Sequence, residues 1–355
     1  MTQSIFPPVR RRVLLGAALA TPFIGRAHAA EGSVTFAGYS GIFQENYTAA
    51  VIEPFMKAHP DIKVTYYTMG NSAQTLGNLR AQKAAPQVDV AIMDVSVAKA
   101  ATVEGLFAPL DKAEMPVLND LSPRAFTDGV NGAAVTFDNL VLLYSPLRVK
   151  PAPTSWKVMW DKQYKDQIAI AGAPDIVGLG FTLIANKMFG GGDYRKSVEK
   201  GIEAVAEMAP LVLSWDPKPD AYTFITNGTA SLGVGWNARG QLYSSQSDGK
   251  LGAVLPEEGS VFQINTMGLV AGAKNTAAAK IFMSYALGPV AQAAFTDRMF
   301  YAPVNTKAKV SAKAMELTAA SPERQAKMLD IDWLEVAKIR NSVNEQWRRR
   351  ILTRR

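Results

Sequence analysis

The strongest constraint on the fold is a repeated order of apolar strand and amphipathic helix in the first hundred residues. The segments 33–37, 62–66 and 88–93 are short and rich in apolar or β-branched residues, as strands are. Between the first two lies the segment 43–57, whose apolar residues are spaced by four along one helical face. Strands that alternate with helices in this way predict a mostly parallel sheet covered by helices, that is, an α/β fold.

Composition sets the size of the molecule and excludes several kinds of site. With 355 residues, 48% of them hydrophobic and 19% charged, the chain is long enough for two packed lobes. It has no cysteine, which excludes disulfides, thiolate metal sites, a cysteine nucleophile and a lipid anchor on an N-terminal cysteine. The two histidines are His28 and His59, too few for a histidine-rich zinc site. We therefore expect no metal and no cofactor.

Residues 1–29 have the pattern of a signal peptide. Arginines at 10–12 precede an apolar run at 13–24, and Ala-His-Ala at 27–29 suits a cleavage site. The run is too short to span a bilayer as a permanent helix. Paired arginines favour the twin-arginine (Tat) export route, with the Sec route left open. Four of the 38 Lys and Arg residues lie in this leader, so the formal net charge falls from +7 to +3 in a periplasmic mature chain that begins near Ala30.

The remaining basic cluster lies at the C-terminus, where Trp347 is followed by five arginines in the last eight residues. Cations at this position suit the C-terminal end of a solvated helix, because they complement its dipole. No stripe of basic and aromatic residues elsewhere predicts a nucleic-acid groove, so we expect no nucleic-acid partner.

The stretch 233–268 carries the clearest candidate site of the second half of the chain. A short apolar strand ends at Trp236 and Asn237, and strand ends in open α/β sheets face the crevice where ligands bind. A proline and a glycine then interrupt regular structure just before Gln263 and Asn265. We expect these four residues to converge on a ligand, with a core role for Trp236 as the alternative.

Candidate residues in the first half stand where strands end and helices begin. Tyr39 and Ser40 lie in a glycine-flanked loop before a helix, where free backbone N–H groups favour an anionic or polar group. Ser72 lies at the start of the next helix, where Asn71 or Ser72 serves as the cap or Ser72 presents a hydroxyl to a ligand. Asp94 follows the strand 88–93, and acids at such positions serve both as caps and as ligand contacts.

Six motifs follow one another along the chain: Val88-Asp-Val-Ala-Ile-Met-Asp, Glu104-Gly-Leu-Phe-Ala-Pro-Leu-Asp, Ser155-Trp with Met159-Trp160, Gly235-Trp-Asn, Pro256-Glu-Glu-Gly-Ser-Val-Phe-Gln-Ile-Asn and Ala286-Leu-Gly-Pro. In this order they resemble the spermidine/putrescine-type periplasmic binding proteins of ABC importers. The resemblance covers most of the chain after the leader. It implies an α/β, two-lobe periplasmic binding protein fold of type II, in which each lobe is a mostly parallel sheet flanked by helices. A hinge joins the lobes, and they close on a solute.

The resemblance also implies a division into lobes and places further site residues. Lobe 1 comprises residues 30–137 and 265–301, and lobe 2 comprises residues 138–264 and 302–355. The hinge lies at Phe137-Asp138-Asn139, with Asp138 facing the cleft. Asp175 falls near the position of a family carboxylate, and Trp236 matches the aromatic wall of the family site.

We expect the ligand to be a polyamine or a related amine. We expect the protein to be a monomeric binding protein, not an enzyme, that passes this ligand to an inner-membrane ABC permease. Each ammonium of a polyamine needs a carboxylate partner. The polyamine binders carry Trp and Asp where this chain has Gln263 and Asn265, so one such partner is missing. An amino acid, another carboxylate or a phosphonate therefore stays open as the ligand. A solute sensor stays open as well, as does a periplasmic hydrolase that uses a pair of carboxylates among Asp94, Asp138 and Asp175.

Overall fold

The computed structural model describes residues 32–319 and 321–353, so the predicted signal peptide lies outside the described residues. In that part of the chain, no helix combines the length and the apolar character needed to cross a membrane. The strands are β1 (Gly32–Tyr39), β2 (Ile62–Met69), β3 (Val90–Asp94), β4 (Phe107–Ala108), β5 (Ala133–Tyr144), β6 (Ile168–Ala169), β7 (Val212–Ser214), β8 (Leu232–Trp236), β9 (Gly252–Val254), β10 (Ser260–Val270) and β11 (Met328–Leu329).

The α-helices are α1 (Ile42–Tyr47), α2 (Glu53–Ala58), α3 (Ser72–Ala81), α4 (Val95–Val103), α5 (Ile176–Met188), α6 (Glu199–Met208), α7 (Ala221–Thr226), α8 (Asn237–Gln246), α9 (Thr276–Ala286), α10 (Pro289–Met299), α11 (Ala312–Leu317), α12 (Pro322–Ala326) and α13 (Trp333–Arg350). Short 3₁₀ turns lie at Pro116–Asp120, Pro123–Ala125, Trp156–Trp160, Lys162–Tyr164 and Ala209–Leu211.

The strands form a sheet in the order β2-β1-β3-β10-β5-β8-β6-β7, with β4, β9 and β11 paired beside this path. At one end β1 runs parallel to β2 and β3, and at the other β6 runs parallel to β7 and β8. We call the parts of the molecule built around these two parallel groups the first half and the second half. The helices that flank both groups confirm the predicted α/β fold class.

Two long antiparallel strands, β5 and β10, connect the halves. Residues 133–139 of β5 pair with β10, and residues 140–144 pair with β8. In β10, residues 265–269 pair with β3 of the first half, whereas Ser260 and Val261 pair with β11. A register shift between Asn265 and Thr266 interrupts the pairing of β10 with β5. Each strand therefore belongs to both halves, as expected for a hinge.

The largest hydrophobic cores lie on either side of this crossing. In the first half, the Tyr47 ring packs against Phe36 at 5.2 Å and against Phe295 at 5.0 Å between ring centres. In the second half, the fully buried Trp347 of α13 packs edge-on against Trp215 at 5.0 Å. Each half thus has an aromatic core of its own, in agreement with the two packed lobes predicted from chain length.

The predicted helix 43–57 is interrupted where its proline predicts a bend. A π-helical segment, Thr48–Ile52, separates α1 from α2, and Pro54 lies in the first turn of α2. Proline lacks the N–H that a continuous α-helix requires, and the widened turn before it removes the resulting clash. The helix therefore restarts at this proline.

The C-terminal part of the chain returns to the second half at a later residue than predicted. Ala302 bridges Phe137, and residues up to Ala319 pack in the first core. Beyond that point β11 pairs with β10, and Trp333 joins the second core. In this packing the last crossing falls after residue 319 rather than at 302, and the lobe boundaries stay a prediction.

Candidate functional site

Strand pairing brings polar residues of both halves onto one face of the sheet. Asn265 stands opposite Asp94 on one side and Thr136 on the other, and Gln263 stands opposite Asp138. Residues opposite one another in antiparallel strands share a face, as do residues two apart along a strand. These five residues therefore form a polar row across the crossing of β5 and β10.

A hydrogen-bonded network lies at the end of β1. The Tyr39 hydroxyl donates to Asn265 Oδ1 at 3.0 Å and lies 2.9 Å from Ser72 Oγ. Asn265 Nδ2 donates to Thr136 Oγ1 at 2.9 Å, and the Asp94 backbone N–H donates to Ser72 Oγ at 2.9 Å. Burial raises the pKa of the Tyr39 hydroxyl, and the Asp94 charge raises it further, so this group stays protonated. The structure thus brings together Tyr39, Ser72, Asp94 and Asn265, all predicted site residues.

The Asp94 side chain is engaged within the protein, and Ser40 is exposed. The Asp94 carboxylate caps α4, accepting from the Val97 N–H at 3.3 Å and from the Ser96 hydroxyl at 2.7 Å. Ser40 is exposed, and its backbone N–H donates to the Met69 carbonyl oxygen at 2.9 Å. Helix capping, one of the two roles considered for Asp94, is present in the structure, and contact with a ligand stays a prediction.

Asp138 is buried, with 1% of its surface exposed, rather than facing an open cleft. Its Oδ1 accepts the backbone N–H of Asn139 at 2.8 Å and of Ala238 at 3.1 Å. The other oxygen, Oδ2, is buried and has no hydrogen-bond partner among the described residues. Burial raises the pKa of this carboxyl to about 8, although the backbone N–H groups act in the opposite direction. The side chain therefore ties the crossing strand β5 to the first turn of α8.

Three residues that were not among the predicted site residues, Tyr222, Arg239 and Tyr301, interact electrostatically with the Asp138 carboxyl. Burial raises the pKa of the Tyr301 hydroxyl, the Asp138 charge raises it further and the Arg239 charge lowers it. The Arg239 guanidinium lies over the Tyr222 ring, 5.7 Å from its centre. Arg239 lies about one helical turn after Trp236 on α8, and this spacing is a sequence signal that places Arg239 near the predicted site. Tyr301 follows α10, far away in the chain, and no local pattern marks it.

Trp236 ends β8 half-buried, and Tyr222 fixes its main chain. The Trp236 N–H donates to the Tyr222 hydroxyl oxygen at 2.6 Å, and that hydroxyl lies 3.1 Å from the Trp236 carbonyl oxygen. A Cβ on Gly235 would lie 2.5 Å from the same hydroxyl, so the close approach requires glycine here. The indole is thus carried by a well-fixed strand end.

The remaining predicted residues differ in how free their side chains are. The Asn237 amide is bound within the protein, donating to the Leu317 carbonyl oxygen at 2.7 Å. Asp175 is exposed and caps α5 by accepting the Val177 N–H at 2.8 Å. The half-buried Gln263 amide makes no hydrogen bond to any described residue, so it is available to a ligand.

The donors and acceptors of this region suit a small polar solute. Among residues 32–319 and 321–353, no group of three or more His, Cys, Asp or Glu side chains is arranged to hold a metal ion. His59 packs against Phe55 at 4.7 Å and Tyr285 at 6.2 Å between ring centres, in the first core. The site instead offers aromatic rings, hydroxyls, an amide, a guanidinium and one carboxyl oxygen without a partner.

The chain is similar to known proteins in sequence and in fold. The profile of bacterial extracellular solute-binding proteins matches residues 50–326. The spermidine/putrescine-binding periplasmic protein of Salmonella typhimurium is 22% identical over 307 residues, which cover 84% of this chain and 85% of that protein. The gamma-aminobutyric acid-binding protein of Pseudomonas aeruginosa is 22% identical over 290 residues, 80% of each chain. An ABC transporter substrate-binding protein from Bradyrhizobium japonicum shares the fold, with a TM-score of 0.76 and 20% identity over 89% of this chain and 98% of that one.

Proposed function

Because the chain belongs to the family of bacterial extracellular solute-binding proteins, we propose that it is the periplasmic component of an ABC importer. It captures a small organic amine, polyamines included, between its two halves and passes it to an inner-membrane permease. Relatives that bind spermidine and putrescine, or gamma-aminobutyric acid, support an amine as the ligand. The mature chain acts as a monomer, uses no cofactor and leaves the solute chemically unchanged.

One observation carries this proposal: polar and aromatic groups of both halves meet where β5 and β10 cross. Tyr39 and Asn265 come from the first half, Trp236 and Arg239 from the second, and Asp138 lies on the crossing strand itself. A solute at this place contacts both halves only when they close. Its contact energy therefore favours the closed state over the open one. Aromatic faces also suit an ammonium group and the methylenes attached to it.

The alternative of a carboxylate-based hydrolase has less support. Such an enzyme needs two carboxyl groups that reach the reacting atoms, one as an acid and one as a base or nucleophile. The carboxylates of Asp94 and Asp175 cap helices. Asp138 contributes one free oxygen, which is buried. This arrangement favours binding without turnover.

We further propose that the two halves are the predicted lobes and that the hinge lies near Asp138. The packing of residues 302–319 in the first core favours a first lobe that extends to residue 319. Export by the Tat route to the periplasm and monomeric action complete the proposal, with the arginines at 10–12 as the motivating feature.

The proposal is tested with the purified mature chain beginning at Ala30. We expect a fraction of small metabolites from a bacterial extract to raise its melting temperature and to change its tryptophan fluorescence. Small-angle scattering is expected to show a smaller radius of gyration with the solute present. Mass spectrometry of the mixture after incubation is expected to recover the solute unaltered. An unchanged melting temperature across the whole extract, or a converted solute, contradicts the proposed function.

A further inference from the structure

The guanidinium of Arg239, which follows the Asp138 partner Ala238 on α8, has no hydrogen-bonded partner in the part of the chain that the structure describes. Its nearest carboxylate oxygen, Asp220 Oδ2, is 3.9 Å away, which is too far for a hydrogen bond. Among the described residues it makes no hydrogen bond, and its closest aromatic contact is the face of Tyr222. The side chain is 42% exposed, so its N–H groups are within reach of a solute. Arg239 therefore combines a fixed position with unused donors.

The acids around Arg239 are already engaged. Asp220 caps α7, its Oδ1 accepting the Thr223 N–H at 2.8 Å. Asp138 accepts the Ala238 N–H at 3.1 Å, and because burial raises its pKa to about 8, this carboxyl is largely protonated at neutral pH. Asp220 forms only a loose ion pair with the guanidinium, at 3.9 Å, and neither acid accepts a hydrogen bond from it. The N–H groups of Arg239 are thus left for another anion.

We infer that Arg239 binds a carboxylate of the solute, so that the solute is an amine that also carries a carboxylate, such as an amino acid, rather than a diamine or polyamine. This inference rests on the proposed function and narrows its ligand class. The planar guanidinium matches a carboxylate with two parallel N–H···O bonds. The second ammonium of a diamine would instead lie beside a like charge in a partly buried site, where repulsion is strong.

Matched pairs of compounds test which charge the site prefers at one end of the solute, because the two members of a pair have similar lengths and differ in that charge. The purified mature chain is titrated with 4-aminobutanoate and 1,4-diaminobutane, which differ in one carboxylate against one aminomethyl group. The pairs one carbon shorter and one carbon longer are measured in the same way. We expect the aminocarboxylate of at least one pair to bind at least ten times more tightly than its diamine, measured by calorimetry and thermal shift.

Variants connect this preference to Arg239. Arg239→Gln is expected to weaken binding of the preferred aminocarboxylate by about 10- to 100-fold and to leave diamine binding unchanged or stronger. Arg239→Lys keeps the charge and restores part of the affinity. Arg148→Gln removes an equal charge from an exposed position of the second half and serves as the matched control. Melting temperatures without solute establish that each variant is folded.

Each outcome decides the inference. Equal or tighter binding of the diamines, or an undiminished preference for aminocarboxylates in Arg239→Gln, overturns it. Absence of binding by every aminocarboxylate overturns it too. In that case the metabolite extract separates the two proposals: stabilisation by the extract leaves the solute-binding function standing, whereas no stabilisation ends both.

Discussion

Asp138 shows how one residue joins the crossing strand β5 to a helix although burial disfavours its charge. Its Oδ1 holds the first turn of α8, while Oδ2 is buried and has no hydrogen-bond partner in the described part of the chain. The carboxyl has a pKa of about 8 in the folded chain because burial disfavours its charge, whereas an aspartate in an unfolded chain titrates near ~4. Between these values the folded chain keeps a proton that the unfolded chain has released.

We predict that Asp138→Asn flattens the pH dependence of stability. In the wild type, the Asp138 contribution to the free energy of unfolding falls as pH rises from about 4 to about 8, by about 1.4 kcal/mol for each pKa unit of the shift. The asparagine variant lacks this titration, so its stability relative to the wild type increases toward pH 8. Urea unfolding at about pH 5 and about pH 8 measures the difference. Asp61→Asn, at an exposed position, is the control, and parallel curves for wild type and Asp138→Asn contradict the prediction.

At Trp236 we predict a loss of binding without a loss of fold. Trp236→Ala removes an aromatic wall of the site, and truncation of such an anchor weakens binding by about 1–3 kcal/mol. Calorimetric titration with the solute found by thermal shift measures the loss, and circular dichroism checks the fold. Trp160→Ala removes an indole that packs on Phe181 and should lower stability with little effect on affinity. An unfolded Trp236→Ala chain would assign Trp236 to the core instead.

Between elements, the turn before β10 fixes the C-terminal segment in place. Gly259 has φ +86°, and a Cβ there would lie 1.9 Å from the Lys327 carbonyl oxygen. The Gly259 carbonyl oxygen in turn accepts the Trp156 indole N–H at 2.8 Å. These contacts bring three distant parts of the chain together, and a side chain at 259 is incompatible with them.

We predict that Gly259→Ala destabilises the protein by more than about 2 kcal/mol, because it adds a backbone clash to the left-handed strain. Gly249→Ala is the matched control, since Gly249 has φ +77° and nothing within 4 Å of the added Cβ. The control is expected to lose about 1–2 kcal/mol from strain alone. Chemical unfolding of both variants measures the two losses, and equal losses would show that the Lys327 contact is unimportant.

The order of strands and helices was largely predictable from the sequence, because periodicity and turn residues are local signals. The cap of α3 by Asn71 and the end of α7 before Gly228 follow such signals. The surroundings of Asp138 were not predictable in this way. That acid accepts the N–H of Ala238 on α8 and pairs with Gln263 on β10, and both partners are distant from it in the chain.

The whole molecule depends on strands that its two halves share. We predict a single calorimetric transition that moves as a unit when either core is damaged. Phe282→Ala in the first core and Trp347→Ala in the second, both fully buried, each remove about 3–5 kcal/mol. Because β5 and β10 belong to both halves, neither half keeps its central strands when the other unfolds. Two resolved transitions in scanning calorimetry, with only one displaced by each variant, would contradict this coupling.

For the whole molecule, the sequence predicted the two-lobe α/β architecture. The inference about the class of ligand required the side-chain contacts of the structure. The sequence showed that Gln263 and Asn265 replace groups expected for a polyamine. It did not show that Asn265 is bound within the protein and that Gln263 is not. Which amides are free follows from the packing of strands distant in the chain.

The alternation along β10 has a consequence for how such a protein diversifies. Phe262 and Ile264 pack against the apolar interior, while Gln263 between them presents an amide with no hydrogen bond to residues 32–319 or 321–353. Packing and ligand selectivity thus depend on alternate positions of one strand. Substitutions at the solute-facing positions can change which solute is bound during evolution or engineering, while the apolar positions keep the protein folded.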